Sequence, residues 1–254
     1  MLVVTDIGNT HTVVGVYDGS DLLGTWRVVS ATHRTSDEYA AYVLSLFALQ
    51  KIDASEISDA IIGSVVPALT GVWEDVWKRA TGVAAMVVGP GMKTGLDIQY
   101  ENPREVGADR ILNCVAGLAK FGAPLIAVDF GTATTLDVCL KPNVYLGGMI
   151  APGVQLALDA LTARAARLPN VSLRAPEQVV GRNTVDSILS GTFYGYVSLV
   201  DGLIRRAWNA IGTETGVVAT GGLAEKVFQH SELIGHIEPH LTLDGLRLLY
   251  EMNN

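Results

Sequence analysis

The chain has 254 residues, 49% hydrophobic and 17% charged, which is enough apolar material for a large core and too little charge for a disordered or tail-like protein. With 18 basic against 26 acidic residues the formal net charge is −8, which argues against a surface built to release counterions from nucleic acid. No apolar run approaches the roughly 18 residues that span a bilayer, and the apolar start meets Asp6 with no basic residue before it, so neither a signal peptide, an anchor nor a membrane partner is expected.

Short β-rich runs punctuated by glycine open the chain: residues 2–5, the turn Asp6-Ile7-Gly8-Asn9-Thr10, residues 12–17, and Asp18-Gly19 before 22–29. This spacing predicts a three-stranded meander. Tyr39, Tyr42, Val43, Leu46 and Phe47 recur at helical spacing behind Thr-Ser-Asp-Glu and predict an amphipathic helix over 37–49. A strand over 60–66, a helix over 72–80, a strand over 86–88 ended by Gly89-Pro90-Gly91, and a helix over 110–120 follow. At Pro124 the opening pattern starts again, with a strand over 125–128, the polar turn Asp129-Phe130-Gly131-Thr132-Ala133-Thr134-Thr135 and a returning strand over 136–140. Helices over 154–166 and 184–210 come next, then a last strand over 217–220 that runs through Gly221-Gly222 into a helix over 223–228. The repetition predicts an α/β protein made of two similar lobes. These are residues 1–118 with a first phosphate loop, and residues 119–254 with a second loop and an adenosine motif. Cys114 and Cys139, in apolar surroundings and without a CxxC spacing, are expected as buried, reduced packing residues of a cytoplasmic protein.

A phosphate needs backbone N–H groups without Cβ atoms in the way, and Gly8-Asn9-Thr10 and Gly131-Thr132 both supply that. Asp6 and Asp129 sit at matching places in the two turns, suited to a nucleotide-bound cation. Asp-x-Gly-Asn is also ordinary hairpin chemistry, and its recurrence is what favours a site. The P-loop and Gly-x-Gly-x-x-Gly fingerprints are absent. Gly221-Gly222, at the end of a strand, would let a base or ribose approach the backbone closely. In Asn102-Pro103-Arg104-Glu105-Val106-Gly107-Ala108-Asp109-Arg110, Gly107 and Ala108 remove bulk beside an acid that is able to accept a hydroxyl proton; the alternative is a helix-start Asp beside a surface Arg. His230, His236 and His240 have no metal-ligand spacing, and Trp26, Trp73, Trp77 and Trp208 read as core.

Taken in order, Asp6-Ile-Gly-Asn-Thr, Gly107-Ala-Asp-Arg, Asp129-Phe-Gly-Thr-Ala-Thr-Thr, Tyr145-Leu-Gly-Gly, Ala151-Pro-Gly, Gly191-x-Phe-Tyr-Gly-Tyr and Ala219-Thr-Gly-Gly-Leu-Ala closely resemble type III pantothenate kinase over essentially the whole chain. The resemblance implies the ribonuclease H-like duplicated fold of the acetate and sugar kinase, heat-shock cognate and actin superfamily. It also implies ATP-dependent phosphorylation of pantothenate to 4'-phosphopantothenate, the first committed step toward coenzyme A, with Mg2+ carried by ATP. By motif, Asp6, Ile7, Gly8, Asn9, Thr10, His11, Thr12 and Val13 match the ATP phosphate loop, and Thr132 matches an ATP contact. Asp109 matches the catalytic base, and Gly107, Ala108, Asp109 and Arg110 hold pantothenate, with Arg110 suited to its carboxylate. Tyr100 and Thr184 match further substrate contacts, and Asp129 the ligand of a monovalent cation, K+ or NH4+. The resemblance further implies a homodimer. The alternatives are another small-molecule kinase of the superfamily and a non-catalytic accessory factor related to the family.

Overall fold

The computed structural model describes residues 1–165 and 168–254, and its chain forms two compact units, each with its own sheet. The first comprises Met1–Leu96, Glu101–Ala116 and His240–Asn254; the second comprises Asp97–Tyr100 and Gly117–Pro239.

In the first unit β1 (Leu2–Ile7), β2 (His11–Asp18) and β3 (Asp21–Val29) form the expected antiparallel meander. The chain then crosses over through α1 (Ser36–Leu49) to β4 (Asp59–Ser64), parallel to β1, and through α2 (Pro67–Thr81) to β5 (Met86–Val87). The sheet order is β3-β2-β1-β4-β5. A capping box starts α1: Glu38 N donates to Thr35 Oγ1 at 3.3 Å and Thr35 N donates to Glu38 Oε2 at 2.8 Å. The second helix starts ahead of the expected Val72 because Pro67 fills its first turn, where a missing N–H costs nothing, and it ends at Gly82 with φ 78°.

Side chains alternate across β1. Val3 and Ile7 enter a core with Tyr39, Phe47, Trp73 and Trp77 from α1 and α2. Thr5 shares that face, and its buried hydroxyl accepts the Trp77 indole N–H at 3.0 Å. The opposite face, that of Val4 and Asp6, meets α3 (Ala108–Phe121) and α7 (Leu241–Asn253). A methyl group placed on Gly63 would strike Leu112 and Leu246, and one on Gly15 would touch Val4 and Leu243.

The second unit repeats this plan. β7 (Leu125–Phe130), β8 (Ala133–Leu140) and β9 (Val144–Pro152) form a meander. After α4 (Val154–Arg164) and α5 (Thr184–Ile211), β10 (Gly216–Thr220) lies parallel to β7; β11 (His236–Ile237), reached through α6 (Ala224–Phe228), lies parallel to β10. With β6 (Asp97–Ile98) added to the edge of β9, the order is β11-β10-β7-β8-β9-β6. Apart from β6 it matches the first sheet strand for strand. Even an irregularity is repeated: Val16 faces Gly24 and Val138 faces Gly147, and the register then skips Leu23 and Leu146. In both sheets the bulge is a Leu-Gly pair.

The structure adds to or departs from the expected elements at four points. A cut at 118/119 misses two segments: 97–100 joins the second unit by pairing with β9, and 240–254 returns to the first because α7 packs on β1, β2 and β4. Residues 144–152, to which the sequence pattern assigns no element, form a strand, with Asn143 at φ 98° supplying the reversal. The second turn shortens to Gly131-Thr132, because Asp129 and Phe130 still belong to β7. The helix expected over 154–166 is described to Arg164, and Ala166 lies outside the described residues. Cys114 and Cys139 are buried, Trp26, Trp73 and Trp77 lie in the core of the first unit, and Trp208 is partly buried against the core of the second. Among the described residues no helix is long and apolar enough to cross a membrane.

Thr5→Val leaves the buried Trp77 N–H without its acceptor and is expected to cost about 1–3 kcal/mol in urea unfolding. In a Trp77→Phe background, where no donor is stranded, the same substitution is expected to cost almost nothing.

Candidate functional site

The first unit holds two of the sequence-predicted groups. Gly8, Asn9 and Thr10 link β1 to β2, closed by Gly8 N donating to His11 O at 3.1 Å; a methyl group on Gly8 would sit 3.0 Å from that oxygen. Asn9, Thr10 and His11 are exposed, Asp6, Gly8 and Val13 half-buried, and Ile7 and Thr12 buried. The Thr12 hydroxyl faces inward and bonds the Ser30 hydroxyl at 2.9 Å, so it supports the turn from inside.

Asp109 stands in the first turn of α3, where the N–H groups of a helix start favour a negative charge. Its Oδ1 accepts the Arg110 N–H at 2.9 Å. Burial pushes the carboxyl above the usual aspartate range, while that N–H and the Arg110 charge pull it back. Gly107 makes room for it: a methyl group there would lie 2.5 Å from Asp109 Oδ1 and 3.6 Å from Val65 Cγ1. Val65 in turn donates its N–H to Ile7 O at 3.0 Å. Val65 therefore bonds the start of the first loop through its N–H, while its side chain lies on the side of Gly107 that a methyl group would occupy. Arg110 is buried, with only 6% of its surface exposed, rather than lying on the surface.

The second unit holds the rest. Asp129, half-buried at the end of β7, lies beside Gly221: a methyl group on Gly221 would come within 2.5 Å of Asp129 Oδ1 and 2.7 Å of Phe130 N. Gly221 has φ 93°, and its carbonyl accepts Ala224 N at 3.2 Å, turning β10 into α6 with Gly222 exposed. Gly131 N donates to Ala133 O at 3.1 Å, and the carbonyl of exposed Thr132 accepts Gly153 N at 3.1 Å. Tyr196 on α5 hydrogen-bonds the buried Thr134 hydroxyl. Burial pushes its phenol above the usual tyrosine range, a Val154 backbone hydrogen bond opposes this, and the charge of Asp129 adds to it.

Thr184 is the exposed first residue of α5, capped by Asn183 Oδ1, which accepts Asp186 N at 2.9 Å. With Val154, Leu161, Ile188 and Tyr196 it lines an open groove of about 540 Å³ along α4 and α5. Tyr100 follows β6, held where Gln99 N donates to Tyr145 O at 2.9 Å. Its ring lies 6.3 Å from that of Tyr145, whose hydroxyl donates to buried Asp137 at 2.9 Å, and 3.5 Å from where a methyl group on Gly147 would be.

Several supporting residues escape a reading of the sequence. Gly153 and Tyr196 lie inside recognised motifs, yet their roles follow only from contacts; Ser30 and Val65 carry no local signature. Among the described residues there is no cluster of three or more His, Cys, Asp or Glu side chains suited to a metal ion.

The family model for type III pantothenate kinase matches residues 2–206. A curated relative from Exiguobacterium named type III pantothenate kinase is 48% identical over 253 residues, covering 100% of this chain and 99% of its own. Among solved structures, a protein from Campylobacter jejuni provisionally described as a Baf family transcriptional activator superposes with a TM-score of 0.63 at 17% identity, covering 99% of this chain and 98% of its own. A protein from Sinorhizobium meliloti provisionally described as a 2-dehydro-3-deoxygalactonokinase gives 0.60 at 11% identity, covering 99% and 96%. At these identities the two structures speak for the fold alone, the α/β architecture of two similar units described above.

Gly221→Ala would force a side chain into a left-handed conformation, a cost of roughly 1–2 kcal/mol before the crowding of Asp129 is added. The thermal midpoint is expected to fall by several degrees, while Gly222→Ala, at an exposed position, leaves it nearly unchanged.

Proposed function

The chain belongs to the type III pantothenate kinase family and phosphorylates pantothenate in coenzyme A biosynthesis; on that premise we propose that ATP is the phosphoryl donor, Asp109 the base, and the pantothenate terminal hydroxyl the acceptor, giving 4'-phosphopantothenate. Phosphoryl transfer asks a protein for positioning and charge stabilisation more than for covalent chemistry. The observation that supports the assignment of Asp109 is its setting at the bare Gly107: a methyl group there would lie 2.5 Å from Asp109 Oδ1 and 3.6 Å from Val65, the residue whose N–H bonds Ile7 at the start of the first loop.

In the first unit, Gly8, Asn9 and Thr10 offer backbone N–H groups to the phosphates, flanked by Asp6, Ile7, His11, Thr12 and Val13. Asp109 accepts the hydroxyl proton; its desolvation raises its basicity and the Arg110 charge keeps the raised value in check. Gly107, Ala108 and Arg110 hold pantothenate, with Arg110 paired to its carboxylate. In the second unit, Thr132 contacts ATP, Gly221 and Gly222 admit the adenosine, and Tyr100 and Thr184 contact pantothenate. Mg2+ on the nucleotide, when bound, neutralises charge on the transferred group, and it typically needs only one or two protein carboxylates, a role open to Asp6. A monovalent cation, K+ or NH4+, fits Asp129, whose carboxylate lies against the backbone of a glycine that leaves the space clear. The enzyme works in the cytoplasm as a homodimer.

A phosphotransfer assay with pantothenate and ATP, run with and without K+, tests the whole reading; no transfer in either condition overturns it. Replacing K+ by Na+ is expected to lower activity and weaken ATP binding, and indifference to the ion removes the role given to Asp129.

Asp109→Asn is expected to lower kcat by about 10²–10⁴-fold with ATP binding retained. Because Asp109 acts ionised and folding raises its pKa, wild-type kcat/KM should fall with an acid limb above the ordinary aspartate range, and the variant should lack that limb. The same shift costs folding stability once the pH exceeds the unfolded-state value. The variant should therefore melt slightly higher than wild type at neutral pH, and equal loss of fold and turnover would make Asp109 structural.

A further inference from the structure

We propose that Ser30, just beyond the end of β3, is a positioning residue that sets the first phosphate loop from behind; the inference rests on the loop's reading as an ATP contact. Three hydrogen bonds converge on this residue. Its N–H donates to Thr10 O at 3.0 Å, its hydroxyl donates to Gly8 O at 2.6 Å, and since that proton is committed, the Thr12 hydroxyl donates to Ser30 Oγ at 2.9 Å. The result is a directed relay from Thr12 O–H through Ser30 O–H to the Gly8 carbonyl, in which each bond polarises the next.

The geometric consequence follows from the planar trans peptide. The Gly8 carbonyl and the Asn9 N–H belong to one peptide group and point in opposite directions. Holding the carbonyl toward Ser30 therefore turns the Asn9 N–H outward, toward the side from which a phosphate would come. Without that hold, a peptide following glycine rotates at little cost and presents a carbonyl, whose partial negative charge repels a phosphate oxygen.

Ser30 is itself fixed. Tyr39 on α1 accepts the Ala31 N–H at 2.8 Å, and its hydroxyl lies 3.0 Å from Val29 O and 3.2 Å from Ala31 O. The second unit shows which part of the device is particular to the first. There the bond to the loop threonine is present, from Gly153 N to Thr132 O at 3.1 Å, but a methyl group on Gly153 would collide with the Thr132 and Gly131 carbonyls. The backbone bond is common to both halves; the hydroxyl relay is built only into the first.

The test measures ATP affinity by calorimetry, the KM values for ATP and pantothenate, and the melting temperature, for the full chain and its Ser30→Ala, Ser30→Thr and Thr12→Val variants. Ser30→Ala is expected to raise Kd and KM for ATP about fivefold to tenfold, the worth of one net hydrogen bond, with the KM for pantothenate little changed and the melting temperature lowered by a few degrees, since the buried Thr12 hydroxyl loses its partner. Ser30→Thr, which keeps the hydroxyl, should restore ATP affinity, and Thr12→Val should give a smaller loss of the same kind. The proposal is overturned if Ser30→Ala binds ATP within twofold of wild type, or if the alanine and threonine variants lose both substrates and the fold alike. A wild-type chain that fails to bind ATP would overturn the kinase reading itself and the inference with it.

Discussion

In each half of the chain the carbonyl of a loop threonine accepts the backbone N–H that ends the third strand, Thr10 from Ser30 at 3.0 Å and Thr132 from Gly153 at 3.1 Å. Much of the site's geometry depends on this bond. A turn of glycine and small polar residues has no side-chain packing to hold its shape, so it presents a defined face only if its carbonyls are engaged from one side. The third strand does this because the meander returns it to the mouth of the first hairpin. The acids then follow from strand periodicity. Asp6 shares a face with Val4 and Asp129 with Ala127, while Ile7 and Phe130, one residue further on, enter the cores.

What the sequence discloses and what it conceals divide along physical lines. The meander, the capping box at Thr35 and the two glycine turns are local, set by neighbours a few residues apart, and they are found where the pattern predicts them. The two-residue strands β6 and β11 have no pattern of their own and exist only through pairing with β9 and β10. Helix α7 conceals itself for another reason. Leu241, Leu246 and Leu249 keep a helical period, but Gly245 in their midst reads as a breaker; in the fold, any side chain at Gly245 would strike the backbone of Leu112. That glycine is the price of close helix packing.

The site divides in the same way. Asp6 and Asp129 stand out because the same acid-and-glycine turn recurs in both halves, and Asp109 because it follows Gly107-Ala108 at a helix start. Their supports do not stand out. Val65 is one valine among many until its N–H is seen on Ile7, and the buried Asp137 is indistinguishable from a surface acid until the Tyr145 hydroxyl is found on it. A buried Arg110 likewise departs from the surface arginine that its local sequence allows; burial makes its charge felt by Asp109 more strongly than water would permit.

The return of α7 to the first unit bears on how the molecule is made. Segment 117–239 is continuous apart from its borrowed edge strand, so a ribosome completes most of it in one stretch. The other body stays open: the face of β1 that carries Val4 and Asp6 lacks part of its cover until His240–Asn254 emerges, when Leu243 and Leu246 close over Gly15 and Gly63. Strand β1 thus waits for a helix made only after the whole of segment 117–239, and loss of α7 would damage the body that carries the first glycine turn and Asp109.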